Sequence, residues 1–279
     1  MSLVDLDVGV ARLKGNRESQ MDRFNVSNHY FQEKGYSLFI IFDGHGDERF
    51  SKHASENLAN LIVNDNEFKA GNYERSLISA FEFEDYKLTQ TLGKEISGGT
   101  TATASLFFRN KNVCYVANVG DSTAVLGSIP GGKFEPKAIP VSRDDKMSDL
   151  EEFDRLSGAN AIVRKGRLIR PGHSVNMTRA LGDFDFKAPK VPSGEDWISP
   201  IPHINKIELN PREDEFMILA SDGLWNVFDE QTIVNEVTLC LDRGYDVHQI
   251  ASALAEASVK RGNPISDNVT IILIYFVWE

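Results

Sequence analysis

Cysteine is nearly absent from this chain: Cys114 and Cys240 stand alone, each inside an apolar run, with no metal-binding spacing between them. A disulfide framework and a thiolate zinc site are thereby excluded, and two buried free thiols fit a reducing, intracellular setting, cytoplasmic or nuclear. No apolar run reaches the roughly 18 residues needed to span a bilayer, and no charged-then-apolar leader opens the chain, so no membrane partner is expected. No proline-, serine- or glycine-rich linker divides residues 1–279, which are expected to form one domain. Positive charge is also scarce. Thirty Lys and Arg against 41 Asp and Glu leave a formal charge of -11, which argues against nucleic acid as a partner. An anionic substrate would need a local cationic site. There is no internal repeat or low-complexity tract, and a monomer is the expected state.

The sequence is rich in acidic residues set at the ends of apolar runs. Tyr36 to Phe42 is too short for a globular helix and is bounded by Gly35 and Gly44, so it reads as a buried strand ending in Asp43-Gly44-His45-Gly46. Glu215 to Ser221 repeats the pattern and ends in Asp222-Gly223. Asp267 precedes the run from Val269 to Phe276, and Asp22 follows a polar turn and precedes Phe24-Asn25-Val26. An ionised, half-buried carboxylate needs a cation or several donors. Four such aspartates imply one oxygen-rich pocket, whose ligand type suits Mg2+ or Mn2+ and not zinc. His45, on a glycine-flanked turn beside Asp43, is a candidate general acid. Taken singly, each Asp-Gly is first a turn signal.

The rest of the chain alternates strand and helix signals. Leu6, Val8 and Val10 alternate, as do residues 102–108 and 113–119, which form a hairpin turning at Arg109-Asn110-Lys111-Asn112. Further strands are expected at 24–27 and 123–126, with an edge strand from Phe134 to Val141. Helical spacing of apolar residues marks 47–63 and 73–92, with Asp85 breaking the second stripe. A short helix runs from Met147 to Leu156, and a tight hairpin turns at Lys165-Gly166. Residues 185–202, with four prolines and an isolated Trp197, read as an irregular surface excursion of the kind that governs substrate choice. Helices opened by Asp229 and Asp246 precede the final strand. The fold class is α+β with antiparallel sheets.

Taken in order, several motifs resemble those of the metal-dependent Ser/Thr protein phosphatases of the PP2C (PPM) family over nearly the whole chain. They are Arg17 with Asp22 five positions later, Asp43-Gly44-His45-Gly46, Gly98-Gly99-Thr100-Thr101-Ala102, Gly120-Asp121-Ser122, Thr178-Arg179-Ala180-Leu181-Gly182-Asp183, Ser221-Asp222-Gly223-Leu224-Trp225 and Asp267-Asn268-Val269-Thr270. The resemblance implies two antiparallel sheets packed as a central sandwich, with helix layers on both faces and the metals at one edge. It implies hydrolysis of phosphoserine or phosphothreonine in a phosphoprotein substrate by hydroxide bridging two divalent ions, Mg2+ or Mn2+, about 3.5 to 4 Å apart. Asp43 would bridge the ions, the Gly44 carbonyl would support one, and Asp222 and Asp267 the other. Asp22 would orient metal-bound water, Arg17 would clamp the phosphate, His45 would protonate the leaving group, and Asp121 would serve a third, weaker ion.

Some positions depart from the family pattern. Met21 stands where the family usually has Glu or Gln, and Asn226 where many members have Asp, so a third ion is expected to bind poorly. Asp47 replaces a usual small residue, and Arg143-Asp144-Asp145-Lys146 occupies the region of an absent His-Lys-Pro tripeptide. Met21 and Asn226 also motivate an alternative, a pseudophosphatase that keeps the fold to bind a partner. Retention of Asp22, Asp43, His45, Asp222 and Asp267 opposes it.

Overall fold

Strands that read as continuously apolar do so because both of their faces are covered. The computed structural model describes residues 1–28, 33–109, 111–132 and 135–279. One five-stranded antiparallel sheet takes β1 (Leu3–Leu13), β16 (Val269–Trp278), β15 (Asp214–Ala220), β8 (Thr123–Ser128) and β9 (Lys137–Pro140), in that order. The other takes β14 (His203–Glu208), β7 (Val113–Val119), β6 (Ala102–Phe108), β3 (Tyr36–Phe42) and β2 (Arg23–Ser27). Alternate residues of β3 face opposite ways: Phe39 and Ile41 meet Met217, Leu219, Ile272 and Ile274 between the sheets, while Leu38, Ile40 and Phe42 face outward.

The outward face of the second sheet is covered by α1 (Glu48–Asn64) and α3 (Tyr73–Leu92), through Phe50, Ala54, Leu58, Leu77 and Phe81. The short α2 (Asn66–Lys69) joins them. On the other side, α6 (Glu230–Asp242) and α7 (Val247–Gly262) cover Phe216, Ile218, Ile271 and Leu273 with Val234, Val237, Ile250 and Ala251. The result is the expected sandwich of two sheets between two helix layers. Side-chain caps set the helix starts: Asp47, Asp229 and Asp246 accept from the backbone N–H of Arg49, Thr232 and Gln249. Asp47, a departure in sequence, is thus the N-cap of α1.

Asp85 breaks the apolar stripe of α3 because it is a buried ion-pair partner. It accepts from Lys187 Nζ at 2.6 Å and from Gly182 N at 2.7 Å, which ties α3 to the site region. Residues 144–202 form a compact insert with its own small core. It contains α4 (Leu150–Gly158) and a meander of β10 (Val163–Arg164), β11 (Arg167–Arg170) and β12 (His173–Val175). Trp197 is not a surface residue: it is fully buried against Leu156, Leu168 and Phe186, and its indole N–H donates to Ala159 O at 3.2 Å. Residues 187–202 are irregular, as expected, but they wrap this core. A third small sheet places β5 (Gly99–Thr100) between β13 (Leu181–Gly182) and β4 (Gly44–His45).

The edge strand expected from Phe134 is seen as β9, with Phe134 outside the described residues, as is Asn110 of the expected hairpin turn. Among the described residues no helix is long and apolar enough to cross a membrane.

Candidate active site

Strands of both sheets begin or end at one common end, and the connections there carry acidic and basic residues. Arg17 and Asp22 lie between β1 and β2, Asp43 follows β3, Asp121 lies between β7 and β8, Asp222 follows β15 and Asp267 precedes β16. A cavity of about 500 Å³ brings together Arg17, Asp43, Gly44, His45, Asp121, Asp222 and Asp267. Asp22 is fully buried nearby and acts on Asp43 and Asp222 through its charge. Asp222 opens a short helix, α5 (Asp222–Trp225), instead of a simple turn.

Asp43 is fixed by its backbone, which frees its carboxylate. Its N–H donates to Thr101 Oγ1 at 3.0 Å, and its carbonyl accepts from Thr101 N at 2.9 Å and Thr100 Oγ1 at 3.1 Å. The two threonines therefore hold the main chain and not the carboxylates. The glycines after the aspartates serve close packing: a Cβ on Gly44 would lie 2.7 Å from Met21 O, and one on Gly223 would lie 2.0 Å from Asn268 O.

Electrostatic strain in the cavity is of one sign. Burial, and then the charges of Asp22, Asp222, Asp121 and Asp267, push the Asp43 carboxyl well above the ordinary carboxylate range. Burial raises Asp22 to about 6 against the opposing hydrogen bonds of Thr270 and Ser221. Asp121 rises to about 6 through burial and the charge of Asp222, and Asp222 rises through burial and Asp267. Asp22 Oδ2 accepts from Ser221 Oγ and Thr270 Oγ1, both at 2.8 Å, whereas its Oδ1 is buried without a partner. Such groups are matched by hard divalent cations.

Among the described residues no three His, Cys, Asp or Glu side chains close into an ion cage by themselves. The Asp222 carboxyl shares a hydrogen bond with Asp43, and the all-oxygen donor set, with the orphaned Asp22 Oδ1 behind it, is of the kind that hard divalent cations take.

The flanking side chains are bound in ways the sequence does not reveal. Asp183, the last residue of the Thr178 to Asp183 motif, grips His45: Nε2 lies 2.9 and 2.8 Å from its two carboxylate oxygens. Burial pulls the imidazole pKa down, but the charge and hydrogen bond of Asp183 outweigh it and the net shift is upward. Arg17 Nη2 donates to Asp267 Oδ2 at 2.5 Å and stays largely exposed. The Asn226 amide donates to Asp222 Oδ2 at 2.9 Å, so it restrains a proposed ligand and does not replace one. Met21 contributes only its backbone, accepting from Ser51 Oγ and donating to Asn268 Oδ1. Asn176 reaches Asp121 at 3.2 Å, and Arg167 and Ser174 of the insert line the same cavity, none of them singled out by the sequence motifs.

A two-sheet sandwich between helix layers, with an aspartate-lined cavity at the common end of both sheets, defines the structural class. The sequence pattern of the Protein phosphatase 2C family matches residues 6–267, and the chain belongs to that family. It is 30% identical to Protein phosphatase 2C homolog 2 of Saccharomyces cerevisiae, over 97% of this chain and 58% of the yeast protein. It is 31% identical to the Schizosaccharomyces pombe protein of the same name, over 98% and 73%. The mouse Integrin-linked kinase-associated serine/threonine phosphatase 2C is 29% identical, over 95% and 71%. This chain thus spans little more than half the length of the yeast relative. Among solved structures, a serine-threonine phosphatase 2C from Toxoplasma gondii shares the fold with a TM-score of 0.85 at 18% identity, covering 99% of this chain and 96% of that one. A C. elegans sex determining protein aligns with a TM-score of 0.77 at 25% identity, over 97% and 65%.

Proposed function

We propose that this chain is a protein serine/threonine phosphatase that hydrolyses phosphoserine and phosphothreonine with the help of two divalent cations, Mg2+ or Mn2+. The observation that carries the reading is the convergence of Asp43, Asp121, Asp222 and Asp267 on one cavity with Asp22 buried behind it, where Asp22, Asp43, Asp121 and Asp222 lack cationic partners enough to offset their burial. When bound, the cations supply the missing positive charge, polarise the phosphoryl oxygens and lower the pKa of the attacking water. Asp43, Asp222, Asp267 and the Gly44 carbonyl are the residues assigned to hold them. Asp22, anchored by Ser221 and Thr270 and with its Oδ1 left without a partner, would orient water around the bound ions.

Arg17 offers its planar fork to the substrate phosphate, and its bond to Asp267 keeps it at the cavity wall. His45 supplies the proton that the departing Ser or Thr oxygen requires. Since Nε2 faces the Asp183 carboxylate, that nitrogen carries its hydrogen toward Asp183 and leaves Nδ1 for the leaving group. Asp183 favours the imidazolium that this role needs. Asp121 is assigned to a weaker third ion, and Asn226, whose amide is turned to Asp222, adds no carboxylate to that site. No observation favours the pseudophosphatase reading, because every proposed ligand faces or borders the same cavity.

The test is phosphate release from a phosphothreonine peptide in four samples: with Mn2+, with EDTA, and with the Asp43→Asn and Asp222→Asn variants in Mn2+. Activity is expected only in the first. Equal rates in all four would overturn the reading.

A further inference from the structure

Acidic residues dominate the chain as a whole, yet none occurs between Arg155 and Asp183. That stretch instead carries Arg164, Lys165, Arg167, Arg170 and His173. It folds as the β10–β12 meander, whose first turn places Lys165 and Gly166 at φ 50 and 71. Arg164, Lys165 and Arg167 are exposed. Around the cavity and the base of the insert, several cationic groups are already taken by carboxylates, as in Arg17–Asp267, Arg155–Glu152, Arg179–Glu152 and Lys187–Asp85. Among the described residues none of Arg164, Lys165 and Arg167 has such a partner. Arg167 is nevertheless positioned, with Nε 3.2 Å from Ser174 Oγ and Nη2 2.9 Å from Ser174 O, and it lines the cavity that holds Asp43 and Asp222.

Arg167 is therefore a positioned cation on the wall of the aspartate cavity, and Arg164 and Lys165 precede it on the same exposed meander, likewise without a carboxylate partner among the described residues. A phosphopeptide whose phosphate enters the cavity must lay its neighbouring residues along this lip. We propose that the β10–β12 meander is a docking wall for acidic side chains flanking the phosphorylated residue, so that the preferred substrates of this chain are phosphoproteins with Asp or Glu beside the phosphosite. The overall negative charge of the protein sharpens the preference, because the meander is the part of the cavity rim where such a segment is not repelled. Turnover rests on the phosphatase reading above, whereas peptide binding does not.

The experiment measures fluorescence anisotropy and phosphate release for three labelled phosphothreonine peptides of equal length, flanked by Glu, Ser or Lys. Each exposed ion pair is worth about a factor of two, so the Glu-flanked peptide is expected to bind roughly eightfold tighter than the Ser-flanked one. The margin shrinks as salt rises from about 0.05 M to about 0.5 M. An Arg164→Gln/Lys165→Gln chain is expected to lose most of the preference, and Arg164→Glu/Lys165→Glu to turn it toward the Lys-flanked peptide, with thermal melting reporting that each variant folds. Equal affinities in the unmodified chain, or a preference that survives both double variants, would overturn the proposal. Tighter binding of the acidic peptide with hydrolysis of none would leave docking standing and remove the phosphatase reading. Hydrolysis of all three with equal affinity and rate would do the reverse.

Discussion

Two groups of buried carboxylates sit back to back in this protein and differ only in their partners. In the cavity, Asp22, Asp43, Asp121 and Asp222 crowd together and their pKa values rise. At the base of the insert, Glu152 is as deeply buried, but Arg179 Nε and Nη2 lie 3.0 and 2.5 Å from its Oε1, and Arg155 Nη2 lies 2.8 Å from its Oε2. Burial raises the Glu152 pKa, yet the two guanidinium groups outweigh it and hold it at about 2. Asp145 joins the groups: it is bonded to His203 at 2.7 Å and accepts from Gly120 N, next to Asp121, at 2.7 Å. One cluster is neutralised by the chain itself, and the other is left for something the chain does not encode. Of these two clusters, the one supplied with arginine is bound into the insert, and the one without it lines the cavity.

The comparison is broken most severely from the balanced side. Arg179→Met strands Glu152 without its main partner and is expected to cost about 3 to 5 kcal/mol, read as a shift in the urea midpoint. From the unbalanced side, Asp43→Asn should lower phosphate release by about 10³-fold in Mn2+ while making the metal-free chain more resistant to urea, two opposite signs in one variant. A loss of both activity and stability would show that the cavity charge is compensated within the chain.

His45→Ala should slow an alkyl phosphate by about 10²-fold and an aryl phosphate much less, because the aryl oxide leaves without a proton. Asp183→Asn should have a weaker version of the same split. Equal slowing of both substrates would remove the acid role.

The smallest effect concerns pH. A carboxyl raised in the fold disfavours the native state once it ionises, so the penalty from Asp121 is present above about 6 and fades as pH falls toward 3.8. Asp121→Asn is therefore expected to stabilise the metal-free chain at pH 7, with the gain vanishing near pH 4. Glu152 behaves in the opposite way: its stabilisation is full above its ordinary value of 4.5 and is lost as pH falls toward 2. Acid titration of the melting temperature in EDTA, for the unmodified chain and Asp121→Asn, separates the two.

The strands β3, β15 and β16 were legible because they are covered on both faces and so appear as unbroken apolar runs flanked by aspartate, whereas their packing as a sandwich was implied only by the family resemblance. Those flanks carried the cavity with them, including Asp43, Asp222 and Asp267. What stayed hidden depends on contacts between distant segments. Asp183 holds His45 from 138 residues away, at a left-handed backbone position with φ 51 that nothing in its flanking sequence announces. Asp85 reads as a defect in an amphipathic helix until its partner Lys187 is known. Trp197 seemed stranded among prolines because the residues that bury it, such as Leu156 and Leu168, belong to other elements of the insert. The neutralised and unneutralised acids look alike in sequence, since Glu152 meets Arg179 only after the insert folds back.

Residues 3–13 pair along their length with 269–278, from Leu3 opposite Trp278 to Leu13 opposite Val269. Arg17 and Asp267 are brought face to face just beyond that zipper. A nascent polypeptide still lacking its closing strand leaves its opening one unmatched and its acidic set short by one. The full acidic lining of the cavity is thereby tied to the meeting of two segments more than 250 residues apart.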